Sequence, residues 1–200
     1  MKKYLHIGCF DQVVAGWENV DITPHIFISW IPLLPFILNK TGMISKDRYN
    51  QHRRGLFRKV KYMNLKRRFP YPDASFQWVF SSHVLEHLFP EDAQFCLREI
   101  FRILKIGGGL RIVLPDLDKL VAGYNPKNPE SFLIGIFGAY KKTGSKNFHH
   151  WHYNFNLLKS ILEDIGFSKI CSYGFREGEC PDIEILDNRP DESFYIEAIK

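Results

Sequence analysis

The chain has no run of about 20 apolar residues, so no segment is long enough to cross a bilayer as a helix. Its longest apolar stretch, His25 to Leu38, is broken by Pro32 and Pro35. The opening Met1-Lys-Lys-Tyr-Leu-His-Ile-Gly8 enters a strand pattern directly, without the apolar core and small-residue cleavage site of an export signal. Export is therefore not expected. Cysteine is sparse: Cys9, Cys96, Cys171 and Cys180 form no Cys-x-x-Cys pair, and three of them lie in or beside apolar elements, as reduced thiols do. A cytoplasmic setting fits this usage. Internal repeats and an interdomain linker are also missing, and 200 residues with 45% hydrophobic content suit one domain over 1–200 with a sizeable core.

Acidic residues are nearly absent from 40–68, where eleven Lys or Arg stand against Asp47 alone. The net charge of +5 is thus local, since the rest of the chain carries 16 basic and 21 acidic residues. Such a patch suits phosphate, an anionic membrane surface or nucleic acid. Preceded by the apolar stretch, it marks residues 23–60 as an insertion, apolar first and then basic.

What is present is a β-α-β pattern. Phe76 to Ser82 reads as a buried strand ending in polar residues, and Pro90 opens a helix with Ala93, Cys96, Leu97, Ile100, Phe101 and Leu104 on one face. Gly107 is read as the helix stop, and Leu110 to Asp116 as a second buried strand. Tyr4 to Ile7 and Trp17 to Ile22 form the first two strands, and the twelve residues between Gly8 and Asp21 leave room for about one helical turn. Tyr62 to Leu65 offers a third strand. Helices are expected near 117–124 and 129–141, then a histidine-rich loop from Lys141 to Trp151. Asn156 is read as the cap of a helix ending at Gly166. Residues 168–175 and 193–199 close the chain as strands. Open α/β sheets bind ligands at the carboxyl ends of such strands, where Ser81, Ser82, His83 and Asp116 would meet.

Leu5-His-Ile-Gly-Cys9, Gly16-Trp-Glu-Asn-Val-Asp21, Phe69-Pro-Tyr-Pro-Asp-Ala-Ser-Phe76, Ser81-Ser-His-Val-Leu-Glu-His-Leu88, Leu97 to Gly109, Gly166-Phe167 and Tyr195 to Lys200 follow in an ordered series. In that order they resemble a class I S-adenosylmethionine-dependent methyltransferase of the type 11 group with a shortened first crossover helix. The resemblance implies a Rossmann-like, mostly parallel seven-stranded sheet with an antiparallel last strand, helices on both faces, and S-adenosylmethionine above strands one, two and four. It further implies cofactor contacts from Gly8, Cys9, Phe10, Asp21, Asn64, Leu65, Ser81, Ser82 and His83. Gly8 would turn backbone N–H groups toward the cofactor carboxylate, Asp21 would accept from the ribose hydroxyls, and Asn64 with Leu65 would flank adenine. Two positions depart from the pattern: Phe10 replaces the second glycine of the first loop, and Asn64 replaces an acid.

His83 and one of the loop histidines His149, His150 and His152 around Trp151, with His150 taken first, are candidate general bases for an acceptor hydroxyl, because a histidine near pKa 6.5 suits proton removal while the enzyme aligns an in-line displacement. His83-Val-Leu-Glu-His87 also spells the H-x-x-E-H pattern of inverted zinc peptidases, but it begins where a strand ends and not inside a long helix. A divalent ion at His83, Glu86 and His87 competes with capping and packing by Glu86 and His87. The capping and packing role is preferred, so no metal is expected. Asp116 either lines the acceptor pocket or caps the next helix, with capping preferred.

The expected activity is methyl transfer from S-adenosylmethionine to a small-molecule, saccharide or lipid-linked acceptor. The alternative, motivated by Phe10 and Asn64, is a degenerate binding or scaffold protein of the same fold. Trp30 beside the basic cluster fits peripheral membrane contact through 25–68. Nucleic-acid binding ranks last, because no stacking platform or base-reading helix is recognisable.

Overall fold

A computed structural model describes residues 2–138 and 148–200. The strands are β1 (Tyr4–Ile7), β2 (Trp17–Asp21), β3 (Val60–Tyr62), β4 (Phe76–Ser82), β5 (Leu104–Pro115), β6 (Ser168–Tyr173) and β7 (Ser193–Ile199). They form one seven-stranded sheet in the order β3-β2-β1-β4-β5-β7-β6. All pairings are parallel except those of β7 with β5 and β6, as the resemblance implied.

The helices are α1 (His25–Ile28), α2 (Leu34–Lys40), α3 (Lys46–Arg53), α4 (Pro90–Ile103), α5 (Leu117–Ala122), α6 (Pro129–Phe137), α7 (Phe155–Ile165) and α8 (Ile183–Leu186). Alternation along the strands sends side chains to two cores. Leu5, Ile7, Val79, Ile112 and Leu114 pack with Ala93, Leu97 and Ile100 of α4 and Leu158 and Leu162 of α7. Trp17, Trp78, Phe80 and Val113 face the other way, onto Cys180 and Leu186. No helix joins β1 to β2, where the spacing left room for about one turn, and that second face is covered instead by the C-terminal segment carrying α8. The Gln12 amide donates to the Ile185 and Leu186 carbonyls, and Trp17 Nε1 donates to Asp182, so the short first crossover is tied to this cover.

Four local expectations are corrected. The third strand is Val60–Tyr62, two residues earlier than read, and Met63 follows it, with its N–H donating to the Asp21 carbonyl. Helix α4 ends at Ile103 and not at Gly107, because Leu104 is already extended and paired with Phe76. The glycines serve the strand instead: a Cβ on Gly109 would stand 2.4 Å from the Trp78 ring, so β5 can pass that indole only as glycine. The cap of α7 is Asn154, whose Oδ1 accepts from the Leu157 N–H at 2.9 Å, while Asn156 lies inside the helix. The helix near 129–141 is described only as α6, ending at Phe137. Of the loop expected over 141–151, residues 141–147 lie outside the described residues.

The segment read as an insertion forms α1, α2, α3 and a 3-10 turn at Leu56–Lys59. It is fastened to the loop after β1. Arg48 pairs with Asp11 at 3.1 Å and its guanidinium lies 4.3 Å from the Phe10 ring centre, while Ile26 and Val60 enclose Cys9. Among the described residues, no helix is long and apolar enough to cross a membrane.

Candidate functional site

The carboxyl ends of β1, β2, β4 and β5 form the rim on which the predicted residues fall. Gly8 turns the chain out of β1 with φ +68°, and a Cβ there would meet Val84 Cγ2 at 2.2 Å, so both backbone and packing demand glycine. Its N–H and that of Cys9 both donate to the Val20 carbonyl. They hold β2 and are not turned toward a ligand, contrary to the role expected of them. Cys9 is buried, and burial together with the nearby Asp21 charge pushes its thiol well above the usual range. It is a packing residue, not a nucleophile.

Asp21, at the end of β2, accepts from the Phe10 N–H at 2.9 Å through Oδ2 and from the Thr23 N–H at 2.7 Å through Oδ1. Each oxygen keeps a further acceptor site. Phe10 has φ +43°, a conformation that favours glycine, and its ring is surrounded by insertion residues: Arg48, His25 and Phe57. Asn64 folds back to accept from the Lys66 N–H, and Leu65 packs partly into the core. Ile22, next to Asp21, is 59% exposed and was not singled out in the sequence.

At the end of β4, Ser81 is buried, and Ser82 Oγ lies 2.9 Å from Asn188 Oδ1. Asn188 in turn reaches Gln12, so the loop before β7 is stitched across the rim. His83 has φ +53°, with Nε2 2.8 Å from Ser193 Oγ and Nδ1 3.3 Å from Glu86 Oε1. His150 is exposed: its ring stacks on Phe89 at 4.2 Å and its N–H donates to the Glu86 carbonyl oxygen. The two general-base candidates are thus held by different partners. Asp116 caps α5, accepting from the Asp118 N–H, and also borders a groove, so the two roles expected as alternatives coexist. That groove, about 470 Å³, lies beyond the end of β5 and is lined by Asp116, Lys119, Arg189, Glu192 and His149 among others. It is of the size that small-ligand sites occupy.

Residues 39–112 match the family model described as a methyltransferase domain. A SAM-dependent methyltransferase from Archaeoglobus fulgidus aligns with 98% of this chain and 85% of its own, at 19% identity and TM-score 0.54. One from Methanosarcina mazei aligns with 98% and 91%, at 18% identity and TM-score 0.56. This is the fold of SAM-dependent methyltransferases. A phosphoethanolamine N-methyltransferase from Haemonchus contortus, solved with S-adenosylmethionine, shares it at 15% identity and TM-score 0.51 over 98% of this chain and 48% of its own. Within this methyltransferase fold, Gln12 and Asn188, on loops that no periodic pattern marks, and Ser193, the first residue of β7, are rim residues that sequence reasoning missed.

Proposed function

We propose that the protein transfers a methyl group from S-adenosylmethionine to a small-molecule, saccharide or lipid-linked acceptor. The observation that supports this most is Asp21 at the end of β2, with an acceptor site left on each oxygen and the exposed Ile22 beside it. That pair fits vicinal ribose hydroxyls and the apolar face of a purine. Phe10 does not argue against the fit, because its ring is engaged by Arg48 of the insertion. Bound there, the cofactor supplies an electrophilic methyl group on a sulfonium. Asp21 would hold the ribose, Ser81 and Ser82 would border the methionine end, and Asn64 and Leu65 would flank the adenine. The groove beyond β5 would receive the acceptor, and His150, the exposed candidate, would take the proton of a hydroxyl acceptor.

Calorimetric titration with S-adenosylmethionine and S-adenosylhomocysteine tests this. Micromolar binding that weakens at least tenfold in Asp21→Ala, with the variant's unfolding still cooperative, supports the site. Absence of heat and of thermal stabilisation with both ligands would favour the degenerate scaffold reading.

A lipid-bearing acceptor draws support from the surface of α1, α2 and the segment between them, where Phe27, Trp30, Ile31, Leu33, Phe36 and Ile37 are all exposed. Arg58 sits over Trp30 at 5.4 Å and Lys40 over Phe36 at 5.7 Å, with Arg53 and Arg54 exposed nearby in sequence. Rings that enter the acyl boundary beside cations that meet anionic headgroups are what a peripheral membrane contact needs. Cosedimentation with anionic vesicles at low salt should fall in Trp30→Ala and in Arg53→Ala/Arg54→Ala/Arg58→Ala. Equal retention by neutral vesicles would remove the electrostatic part.

A further inference from the structure

We infer that Glu86, His87 and His149 bind a divalent transition-metal ion. The Glu86 side chain is 1% exposed, yet neither of its carboxyl oxygens has a hydrogen-bond partner. A buried carboxyl without partners is costly, and native structures seldom leave one so unless something else meets it. What surrounds it is imidazole. One ligand atom each from Glu86, His87 and His149 lie within 4.8 Å of one another, and the His87 and His149 rings are 5.0 Å apart.

The tautomers of the two histidines suit ligation through Nε2. His87 Nδ1 is 3.1 Å from the Phe148 carbonyl oxygen and His149 Nδ1 is 3.3 Å from that of Gly135. A carbonyl can only accept, so each Nδ1 carries the proton and each Nε2 keeps its lone pair. Backbone carbonyls fix the tautomer of metal-ligating histidines in this way. His87 Nε2 stands 3.9 Å from Glu86 Oε1. Ligands held about 2.0–2.2 Å from one ion lie roughly 3 to 4 Å apart, so a side-chain adjustment closes the set. His83, the third member of the sequence pattern, is held through Nε2 by Ser193 and faces Glu86 Oε1 through Nδ1 at 3.3 Å, without a hydrogen bond between them. The third ligand comes from sixty-odd residues downstream, carried in by the His150 and Trp151 N–H bonds to the Glu86 carbonyl oxygen.

Two imidazoles and one carboxylate suit Zn²⁺, Co²⁺, Mn²⁺ or Fe²⁺ over Mg²⁺ or Ca²⁺, which prefer all-oxygen sets. Three protein ligands leave a position open. Because His149 also lines the groove beyond β5, that position borders the groove. An acceptor oxygen there would be polarised by the ion; this role rests on the methyl-transfer reading, while the ion site does not.

The test loads chelator-treated full-length protein with Co²⁺ and Zn²⁺, with Mg²⁺ as control, and reads stoichiometry by metal analysis and the Co²⁺ visible spectrum. One ion per chain is expected, with no thiolate charge-transfer band, and with affinity at least 100-fold weaker in Glu86→Gln and in His149→Ala. The second variant sits on a partly exposed loop and keeps the test valid if the first fails to fold. Sub-stoichiometric uptake would overturn the inference, as would uptake unchanged in His149→Ala or abolished by His52→Ala, which would place the ion between His25 and His52, whose Nδ1 and Nε2 lie 3.0 Å apart. Cofactor titration of the same samples is read separately, so a failed cofactor site and a failed ion site give different results.

Discussion

Asp187 and Glu197 behind the sheet and Glu86 at its rim are all withdrawn from water, but their surroundings are opposite. Arg111, fully buried on β5, donates to both Asp187 oxygens at 2.8 and 2.5 Å, to Glu197 at 2.9 Å, and to the Glu177 and Gly174 carbonyls. The acids also accept backbone N–H groups from Arg176, Glu179 and Cys180. Every strong donor and acceptor there is used within the chain. Glu86 has no such partner: His83 Nδ1 and His87 Nε2 stand 3.3 and 3.9 Å from Oε1, and neither oxygen receives a hydrogen bond. The first arrangement locks the cover over Trp17 and Trp78 in place of the missing crossover helix. The second leaves a bonding capacity that the protein itself does not fill.

The largest effect should come from breaking the filled centre. Arg111→Ala leaves two buried acids without their cation, and removing one partner of a buried pair costs about 3 to 5 kcal/mol. Urea denaturation should show that loss, with Asp187→Asn close behind. A change below about 1 kcal/mol would mean that water enters and satisfies the acids, and the contrast with Glu86 would collapse.

A third buried polar group, His6, gives the next effect. It lies on β1, 1% exposed, edge-on to Phe80, and burial lowers its pKa from 6.5 to about 4, only partly opposed by Asn19. The native state then holds His6 neutral at pH values where the unfolded chain takes up a proton. Its contribution is complete above pH 6.5 and is lost as pH falls toward 4. By linkage, about 2 kcal/mol should be gone at pH 5 from this residue. His52, also lowered to about 4 chiefly by burial, acts with the same sign. Denaturation of metal-free protein at pH 7.5, 6 and 5 should show a slope that becomes shallower in His6→Gln. An unchanged slope would assign the loss to other groups.

These contrasts also explain what could be read from sequence. β1, β4, the second half of β5 and helix α4 were legible because apolar spacing reports burial directly. Gly109 was misread as part of a helix stop because its cause, the Trp78 ring on the neighbouring strand, is not local. Asn154 and Asn156 both precede apolar residues, and only the register of Leu158 and Leu162 with the core distinguishes them. Asp21 was identifiable by its place at a strand end. Glu86 and His87 were visible as a pattern, but the pattern suggested His83 as their companion. The identity of the third residue depends on how the 148–151 loop folds onto the Glu86 backbone, and no spacing rule encodes that.

The smallest effect discriminates best. If Glu86 is a vacant ligand, Glu86→Gln in chelator-treated protein should stabilise it, because the amide N–H can donate to His83 Nδ1, which also lacks a partner. One such bond is worth on the order of 1 kcal/mol. With Zn²⁺ present the order should reverse, since only the wild type gains stability from a bound ion. Arg111, Asp187 and Glu197 allow no such inversion: substitutions there should destabilise to the same extent with metal or with chelator. A Glu86→Gln variant destabilised under both conditions would show that the carboxyl is satisfied in solution by His83 and His87, making the two centres alike after all.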